Sequence, residues 1–195
     1  GRPDDVFLEW DPLPLAAASI GQVHRAITHD GTAVAVKVQY SGVDEAIRND
    51  LDSAILLMMG MRALLPGVDT GTLHAELRER IFEELDYLHE AANQQSFADA
   101  FRGHPTIHVP EVRHDLTTRR VLTTELATGV RFAEACQWAA TEKDLAAETI
   151  YRYVFRSLYD LHAFNGDPHP GNYLFRPGGQ VTFLDYGMVK RFTPE

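Results

Sequence analysis

The sequence predicts an α+β fold, with a small β-rich lobe followed by helices and then by a second hairpin. Near the N-terminus, Asp30-Gly31 lies between two apolar stretches, which is typical of an antiparallel hairpin. Residues 43–65, 72–101 and 141–163 have helical character, and the last two ranges carry apolar residues at spacings of three and four. Gly178-Gly179 separates "YLF" from "VTFL" and indicates the second hairpin.

The composition and net charge of the chain exclude some classes of function. The chain has 195 residues, of which 45% are hydrophobic and 24% charged, as in an ordinary globular protein. The net charge of −10 argues against nucleic acid as a partner, because binding a phosphate backbone requires a basic surface. The net charge does not exclude a nucleotide that is bound together with magnesium, since the metal brings positive charge. The single cysteine, Cys136, excludes an internal disulfide, and the acidic N-terminus does not resemble a signal peptide, so we expect a cytoplasmic protein.

The strand after the first turn carries one lysine among small residues. In "TAVAVKVQ", the valines occupy one face of the strand, and Ala35 and Lys37 occupy the other. A lysine beside small residues leaves room for a ligand, and the alternative is a solvated lysine on an edge strand. Residues 120–126, "RVLTTEL", are predicted to form a further strand.

The helix predicted over residues 72–101 is rich in acids. Its apolar stripe is formed by Leu73, Leu77, Ile81, Leu85 and Leu88. At 100° per residue, Glu84 lies about 60° from Ile81 and borders this stripe, whereas Glu90 lies opposite it. The helical wheel therefore favours Glu84 as the acid that points inward.

The stretch "GDPHPGNYLFRPGGQVTFLDYG" carries two carboxylates and an amide around a stiff frame. Two prolines restrict the backbone beside Asp167. If Gly178-Gly179 forms a two-residue turn, Asn172 and Asp185 lie directly opposite each other in the hairpin. Oxygen ligands of this kind suit magnesium, and the alternative is a surface hairpin with incidental polar residues. For His169 we favour a structural hydrogen bond within the loop over a metal ligand.

The spacing of these residues matches a known pattern. Asp167, four intervening residues, Asn172 and then Asp185-Tyr186-Gly187 follow the catalytic loop and metal motif of kinases. No His-Arg pair precedes Asp167, so an ordinary protein kinase is a poor match. The element order is that of a protein-kinase-like fold with a nucleotide in the cleft between two lobes. We assign residues 1–126 to a β-rich N-lobe with inserted helices, and residues 127–195 to a hinge and a truncated helical C-lobe.

The chain resembles the UbiB (aarF-like) atypical kinases, which are tied to coenzyme Q and related prenyl-lipid metabolism. Five stretches carry the likeness, namely "PLAAASIGQVHRA", "VAVKVQYSGV", "EELDYLHEAAN", "GDPHPGN" and "LDYG". The first is similar to the family's alanine-rich loop, which replaces the usual glycine-rich phosphate loop. Together the five span Pro14 to Gly187, nearly the whole chain.

This resemblance implies a site for ATP or ADP with Mg²⁺. Asp167 would be the catalytic aspartate, and Asn172 and Asp185 the metal ligands. Lys37 would touch the α- and β-phosphates and pair with Glu90, and a bend near residue 86 would reconcile that pairing with the helical wheel. Glu84 and Asp86 would form an acidic pair near the nucleotide. Apart from the resemblance, Glu125 and Leu126 lie at the end of the strand predicted over residues 120–126, where we expect their backbone groups to face an adenine ring. The residues implied in nucleotide binding are Ala16, Ala17, Ala18, Ser19, Lys37, Glu84, Asp86, Glu90, Glu125 and Leu126.

Three functions remain open from the sequence. The resemblance favours a Mg-dependent phosphotransferase or ATPase linked to prenyl-quinone or lipid metabolism. A nucleotide-binding regulator with little turnover is the first alternative, because Ala16, Ala17 and Ala18 restrict the backbone where glycines are usual. The second is a small-molecule kinase of the aminoglycoside-phosphotransferase type, which the alanine-rich loop and Asn165 argue against.

The resemblance also bears on the partners and on the extent of the chain. The phosphate acceptor would be a lipid or a small molecule, and related proteins suggest a peripheral contact with the membrane. The Lys-x-Gly-Gln motif that precedes the alanine-rich loop in the family is absent, and the chain ends soon after Asp185. We therefore expect an incomplete fragment of a longer protein.

Overall fold

A computed structural model of the chain describes residues 2–49, 51, 53 and 85–193. The strands are β1 (Glu9–Trp10), β2 (Ala16–Ala17), β3 (Gly21–Ile27), β4 (Ala33–Gln39), β5 (Ile107–His108), β6 (Val121–Glu125), β7 (Ala163–Asn165), β8 (Tyr173–Arg176), β9 (Gln180–Phe183) and β10 (Val189–Arg191). The helices are α1 (Tyr87–Ala100), α2 (Phe132–Ala135) and α3 (Ala140–Asp160). Residues 43–49 are also helical, and residues 54–65 of the helix predicted there lie outside the described residues. Within the described part of the chain, no helix is long and apolar enough to cross a membrane.

The N-terminal strands form a five-stranded sheet in the order β1-β3-β4-β6, with β2 beside β3. Strands β3 and β4 pair from Ile27 opposite Ala33 to Gly21 opposite Gln39, so the hairpin predicted at Asp30-Gly31 is confirmed. Strand β6 then pairs with β4 and confirms the strand predicted over residues 120–126. The valines of β4 face the core, which leaves Ala35 and Lys37 on the opposite face, as the alternation predicts.

The C-terminal part packs α3 against a second sheet. In this sheet β9 lies between β8, which is antiparallel to it, and β5, which is parallel to it. Helix α3 occupies the span predicted over residues 141–163, within three residues at either end. The ring of Tyr153 stacks on that of Phe183 with centroids 3.6 Å apart, and the same core includes Phe97 and Phe101 of α1 and its C-terminal turn. This core therefore draws on residues from both sides of residue 126.

Helix α1 begins at Tyr87 and does not continue a helix through residues 85 and 86. Asp86 has an extended backbone (φ −111°, ψ 93°), and its side chain accepts a hydrogen bond from the backbone N–H of Leu88. The prediction of an uninterrupted helix over residues 72–101 is therefore wrong, while the bend expected near residue 86 is confirmed. Because the helix begins at Tyr87, its side chains do not point in the directions expected for a continuous helix over residues 72–101. Leu88 of the predicted apolar stripe is therefore 46% exposed, and Glu90 is buried.

The second hairpin has a register that differs by one residue from the predicted one. Arg176 pairs with Gln180, so the loop is Pro177–Gly179 rather than the Gly178-Gly179 pair alone. A two-residue loop would place residue 177 in the strand ladder, where a proline has no N–H to donate. Asn172 consequently faces Leu184, whose N–H donates to the Asn172 carbonyl at 3.0 Å. The prediction that Asn172 pairs directly with Asp185 is wrong.

Candidate nucleotide-binding site

A cavity of about 570 Å³ is lined by both parts of the chain. The predicted site residues that line it are Ala16, Ala17, Ala18, Ser19, Lys37, Glu90, Glu125, Leu126, Asp167, Asn172 and Asp185. Asp86 does not line the cavity, and Glu84 lies outside the described residues. The one-residue shift in the hairpin therefore still leaves Asn172 and Asp185 in a common cavity.

The alanine-rich segment forms a tight hairpin at one wall of the cavity. Ala16 pairs with Val23 and Ala17 with Gln22, and the N–H of Ala18 donates to the Gly21 carbonyl at 2.9 Å. A Cβ atom at Gly21 would lie 2.2 Å from the carbonyl oxygen of residue 38, so only glycine allows this approach of β3 to β4. The backbone of the alanine-rich segment is thus held by strand pairing.

Lys37 lies between two carboxylates inside the cavity. Its Nζ is 2.8 Å from Glu90 Oε1, 2.9 Å from Glu90 Oε2 and 3.5 Å from Asp185 Oδ2. The side chains of Lys37 and Glu90 are 15% and 6% exposed. The pairing of Lys37 with Glu90 is therefore confirmed, and it links the N-terminal sheet to α1.

The surroundings keep Lys37 charged. Burial by itself lowers the pKa of Lys37, but the negative charges of Glu90 and Asp185 outweigh burial and raise that pKa above its ordinary value. The ring of Tyr87 adds a cation–π contact, with Nζ 5.1 Å from the ring centroid. A charged ammonium in a cavity is suited to hold phosphate oxygens.

The loop that carries Asp167 is tied to Asn172 and Asp185 by hydrogen bonds. Asn172 Nδ2 donates to Asp167 Oδ2 at 2.9 Å, and the Asp167 N–H donates to Asn165 Oδ1 at 3.2 Å. Asn165 Nδ2 in turn donates to the Asp185 carbonyl at 2.6 Å. Asn165 thus bridges the two acidic segments, a role that its sequence position gave no reason to expect.

The oxygen atoms of this region suit a hard cation such as Mg²⁺. Asp167 and Asp185 supply carboxylates, and Asn172, whose Nδ2 contacts Asp167, supplies an amide oxygen. No group of three His, Cys, Asp or Glu side chains in the described ranges is arranged to hold a metal. A cation here would therefore need oxygen atoms from Asn172 and from a ligand such as a phosphate chain.

Other candidate residues have structural contacts. Asp86 caps α1, and its Oδ2 lies 3.1 Å from Arg119 Nη2, so its carboxylate is directed to these partners. His169 Nδ1 accepts a hydrogen bond from the Gly171 N–H at 3.0 Å, which confirms the structural hydrogen bond favoured for it. Both side chains shape the segments beside the cavity.

Besides the bridging role of Asn165, the parts played by Asn93 and Arg131 were not predicted from the sequence. Asn93 on α1 is buried and donates through Nδ2 to the Tyr186 carbonyl at 3.3 Å, which joins the helix of Glu90 to the segment of Asp185. Arg131 lines the cavity and donates to the Gly171 carbonyl at 3.3 Å. Asn93 lies in a stretch that carries the family likeness, whereas no motif singles out Arg131.

Comparison with known proteins identifies the family of the chain. The profile of the ABC1 atypical kinase-like domain matches residues 1–195. The chain is 36% identical over 203 residues to Protein ACTIVITY OF BC1 COMPLEX KINASE 3, chloroplastic, of Arabidopsis thaliana, covering 98% of this chain and 28% of that protein. It is 35% identical over 193 residues to the Atypical kinase COQ8B, mitochondrial, of Rattus norvegicus, covering 98% and 36%. The chain thus spans about a third of the length of these relatives.

A solved structure has the same fold. The complex of Rv3197 with erythromycin from Mycobacterium tuberculosis matches with a TM-score of 0.86 and 39% identity, over 95% of this chain and 47% of that one. The predicted protein-kinase-like α+β fold, with a β-rich N-terminal region, is thereby confirmed. The family profile, the relatives and this fold show that the chain belongs to the ABC1 atypical kinase-like family, the UbiB/aarF proteins.

Proposed function

We propose that this chain forms the nucleotide-binding part of a Mg-dependent phosphotransferase or ATPase. The observation that carries the proposal is the contact of Lys37 with Glu90 and Asp185 in a cavity that Asp167 and Asn172 also line. Phosphoryl transfer depends mainly on placement of the reactants and on electrostatic stabilisation. The cavity supplies this placement and this electrostatic stabilisation through Lys37, through the oxygen atoms of Asp167, Asn172 and Asp185, and through the hairpin of the alanine-rich segment.

Each residue has a distinct part in this proposal. Lys37 binds phosphate oxygens, and Glu90 keeps its ammonium directed into the cavity. Asn172 and Asp185 would hold Mg²⁺, which neutralises charge on the transferred phosphoryl group. Asp167 orients the acceptor hydroxyl and accepts its proton. In this proposal the adenine ring contacts the carbonyl groups of Glu125 and Leu126, because the N–H groups of these residues already donate to the Glu111 and Ala33 carbonyls.

The acceptor belongs to the same proposal. We place the activity in prenyl-quinone or lipid metabolism, because the chain resembles the UbiB proteins and is similar to the atypical kinase COQ8B. The acceptor would be a lipid or another small molecule with a free hydroxyl group.

Substitution of Asp167 separates binding from chemistry. In the full chain, Asp167→Asn should leave the Kd for Mg-ATP within about threefold of wild type while ATP turnover falls by about a hundredfold or more, because proton transfer typically contributes that much. Calorimetric titration and phosphate release measure the two quantities. Loss of binding together with turnover would remove Asp167 from the catalytic role.

A regulator with little turnover is the second candidate. The specific observation in its favour is that Asn172 Nδ2 holds Asp167 Oδ2 at 2.9 Å, while the alanine-rich segment is fixed by strand pairing. Ala17→Gly should loosen that wall and change the preference between ATP and ADP. If wild type binds both nucleotides without measurable turnover and Ala17→Gly gains turnover, the regulator is the better description.

A further inference from the structure

Arg131 is a cation of the cavity to which the proposed function gives no part. The other charged side chains of the lining are Glu90, Glu125, Asp167, Asp185 and Lys37. Lys37 lies within 3.5 Å of two of these carboxylates. Among the described residues, no carboxylate lies within ion-pair distance of Arg131. A ligand with several negative charges would therefore find in Arg131 a cation that is not already neutralised.

The backbone fixes Arg131 beside the loop of Asp167. The N–H of Val130 donates to the Phe175 carbonyl at 2.9 Å, and the N–H of Phe175 donates back to the Val130 carbonyl at 2.9 Å. Gly129 permits this approach, because a Cβ atom there would lie 2.9 Å from the Phe175 oxygen. Val130, the residue before Arg131, is thus hydrogen-bonded to β8, the strand that directly follows the loop of Asp167.

The contact of the guanidinium group leaves most of its donors available. Arg131 Nη1 donates to the Gly171 carbonyl at 3.3 Å, next to Asn172 in the loop. A guanidinium group has five N–H donors in a planar fork that matches phosphate oxygens. One long hydrogen bond to a neutral carbonyl orients the fork without neutralising its charge.

We propose that Arg131 binds a phosphate-type anion beside the loop of Asp167 and Asn172. Two sources share this chemistry, namely the phosphate chain of the nucleotide and an anionic group of the acceptor. The proposal rests on the proposed function for the identity of the ligand, while the anion site itself can be tested without a nucleotide.

The test compares Arg131→Gln with Arg131→Lys and with the control Arg120→Gln. Arg120 is exposed and does not line the cavity, and its substitution changes the net charge by the same amount. Calorimetry on the full chain would use Mg-ATP, adenosine and Mg-pyrophosphate, and inorganic phosphate added to protein saturated with Mg-ADP. Thermal unfolding checks that each variant is folded.

Loss of a charge-assisted hydrogen bond should weaken binding by about tenfold or more. If the nucleotide is the source, Arg131→Gln weakens Mg-ATP and Mg-pyrophosphate by that factor and spares adenosine, and Arg131→Lys recovers part of the loss. If the acceptor is the source, Arg131→Gln leaves Mg-ATP unchanged and abolishes phosphate binding beside Mg-ADP. Either result supports the anion site.

Equal affinities of Arg131→Gln and Arg120→Gln for every probe would overturn the inference and leave Arg131 only its contact with Gly171. Failure of the proposed function looks different, because wild-type protein would then bind neither Mg-ATP nor adenosine. In that case Mg-pyrophosphate still tests Arg131: weaker binding to Arg131→Gln than to Arg120→Gln supports the anion site, and equal binding overturns it.

Discussion

At the scale of single residues, the pair of Lys37 and Glu90 is the most consequential contact. Both side chains are largely removed from water, and each supplies the counter-charge of the other. A buried ion pair adds little stability relative to apolar residues of similar shape, but removal of one partner leaves an uncompensated charge. The ion pair therefore contributes mainly to the candidate site, but the fold is destabilised when either partner is removed.

Replacement of Lys37 should affect both the fold and the site. Lys37→Ala should lower the free energy of unfolding by about 3 kcal/mol, because Glu90 stays buried without its cation. The double variant Lys37→Met/Glu90→Leu should regain at least half of that loss and still fail to bind Mg-nucleotide. Urea denaturation and calorimetry measure the two effects, and wild-type stability of Lys37→Ala would contradict this description of the pair.

At the scale of elements, the start of α1 decides which acid faces Lys37. A continuous helix from residue 72 would direct Glu90 away from the apolar stripe, whereas a helix that begins at Tyr87 directs it into the cavity. The N-cap at Asp86 is the local cause, since its side chain satisfies a backbone N–H of the first turn. The position of Glu90 thus depends on a cap as well as on its own ion pair.

Two substitutions at Asp86 separate its cap from its charge. Asp86→Ala should lower the free energy of unfolding by about 1 kcal/mol, the usual cost of losing a cap. Asp86→Asn should be close to neutral, because asparagine caps as well as aspartate, and should keep the affinity for Mg-nucleotide. If Asp86→Asn binds Mg-ADP more than about tenfold more weakly at unchanged stability, Asp86 contacts the nucleotide or its metal instead.

The loop between β8 and β9 offers a matched pair of glycines. Gly178 and Gly179 both have positive φ, at 78° and 73°. A Cβ atom at Gly178 meets nothing within 4 Å, whereas one at Gly179 lies 2.8 to 3.0 Å from Leu145 atoms, including its backbone. The first position tests backbone strain alone, and the second adds a steric conflict with α3.

Gly178→Ala should therefore cost about 1 kcal/mol, the usual penalty for a left-handed alanine. Gly179→Ala should cost clearly more and should also weaken Mg-nucleotide binding, because α3 and the hairpin that leads to Asp185 must separate. Thermal unfolding and calorimetry on the two variants provide the comparison. Equal stability of the two variants would show that the loop does not pack on Leu145 as described.

At the scale of the whole molecule, two parts of the chain share one cavity through a few polar contacts. Lys37 on β4 contacts Glu90 on α1, and Asn93 of the same helix contacts the carbonyl of Tyr186. The Tyr186 side chain is fully buried and its hydroxyl lies 3.1 Å from that of Tyr153 on α3. Helix α1 thus joins the N-terminal sheet to the segment of Asp185.

Much of this organisation could be predicted from local patterns. The alternation in β4 predicted the face of Lys37, because the side-chain period of a strand is independent of the rest of the fold. The register of the second hairpin could not be read from its glycines, because Pro177 also belongs to the loop. Arg131 was missed for a different reason: it enters the cavity through the tertiary pairing of Val130 with Phe175, which no local pattern records.

In the proposed function, the shared cavity binds a nucleotide through magnesium held by Asn172 and Asp185. Calorimetric titration of ADP into the full chain tests it most directly, with Mg²⁺ present, with Mg²⁺ chelated, and with the variant Asp185→Asn. We expect one site with Mg²⁺, and an affinity lower by about tenfold or more in each of the other two titrations, since a hard cation needs its carboxylate ligand. Equal affinity in all three titrations, or no binding to the wild-type chain, would contradict it.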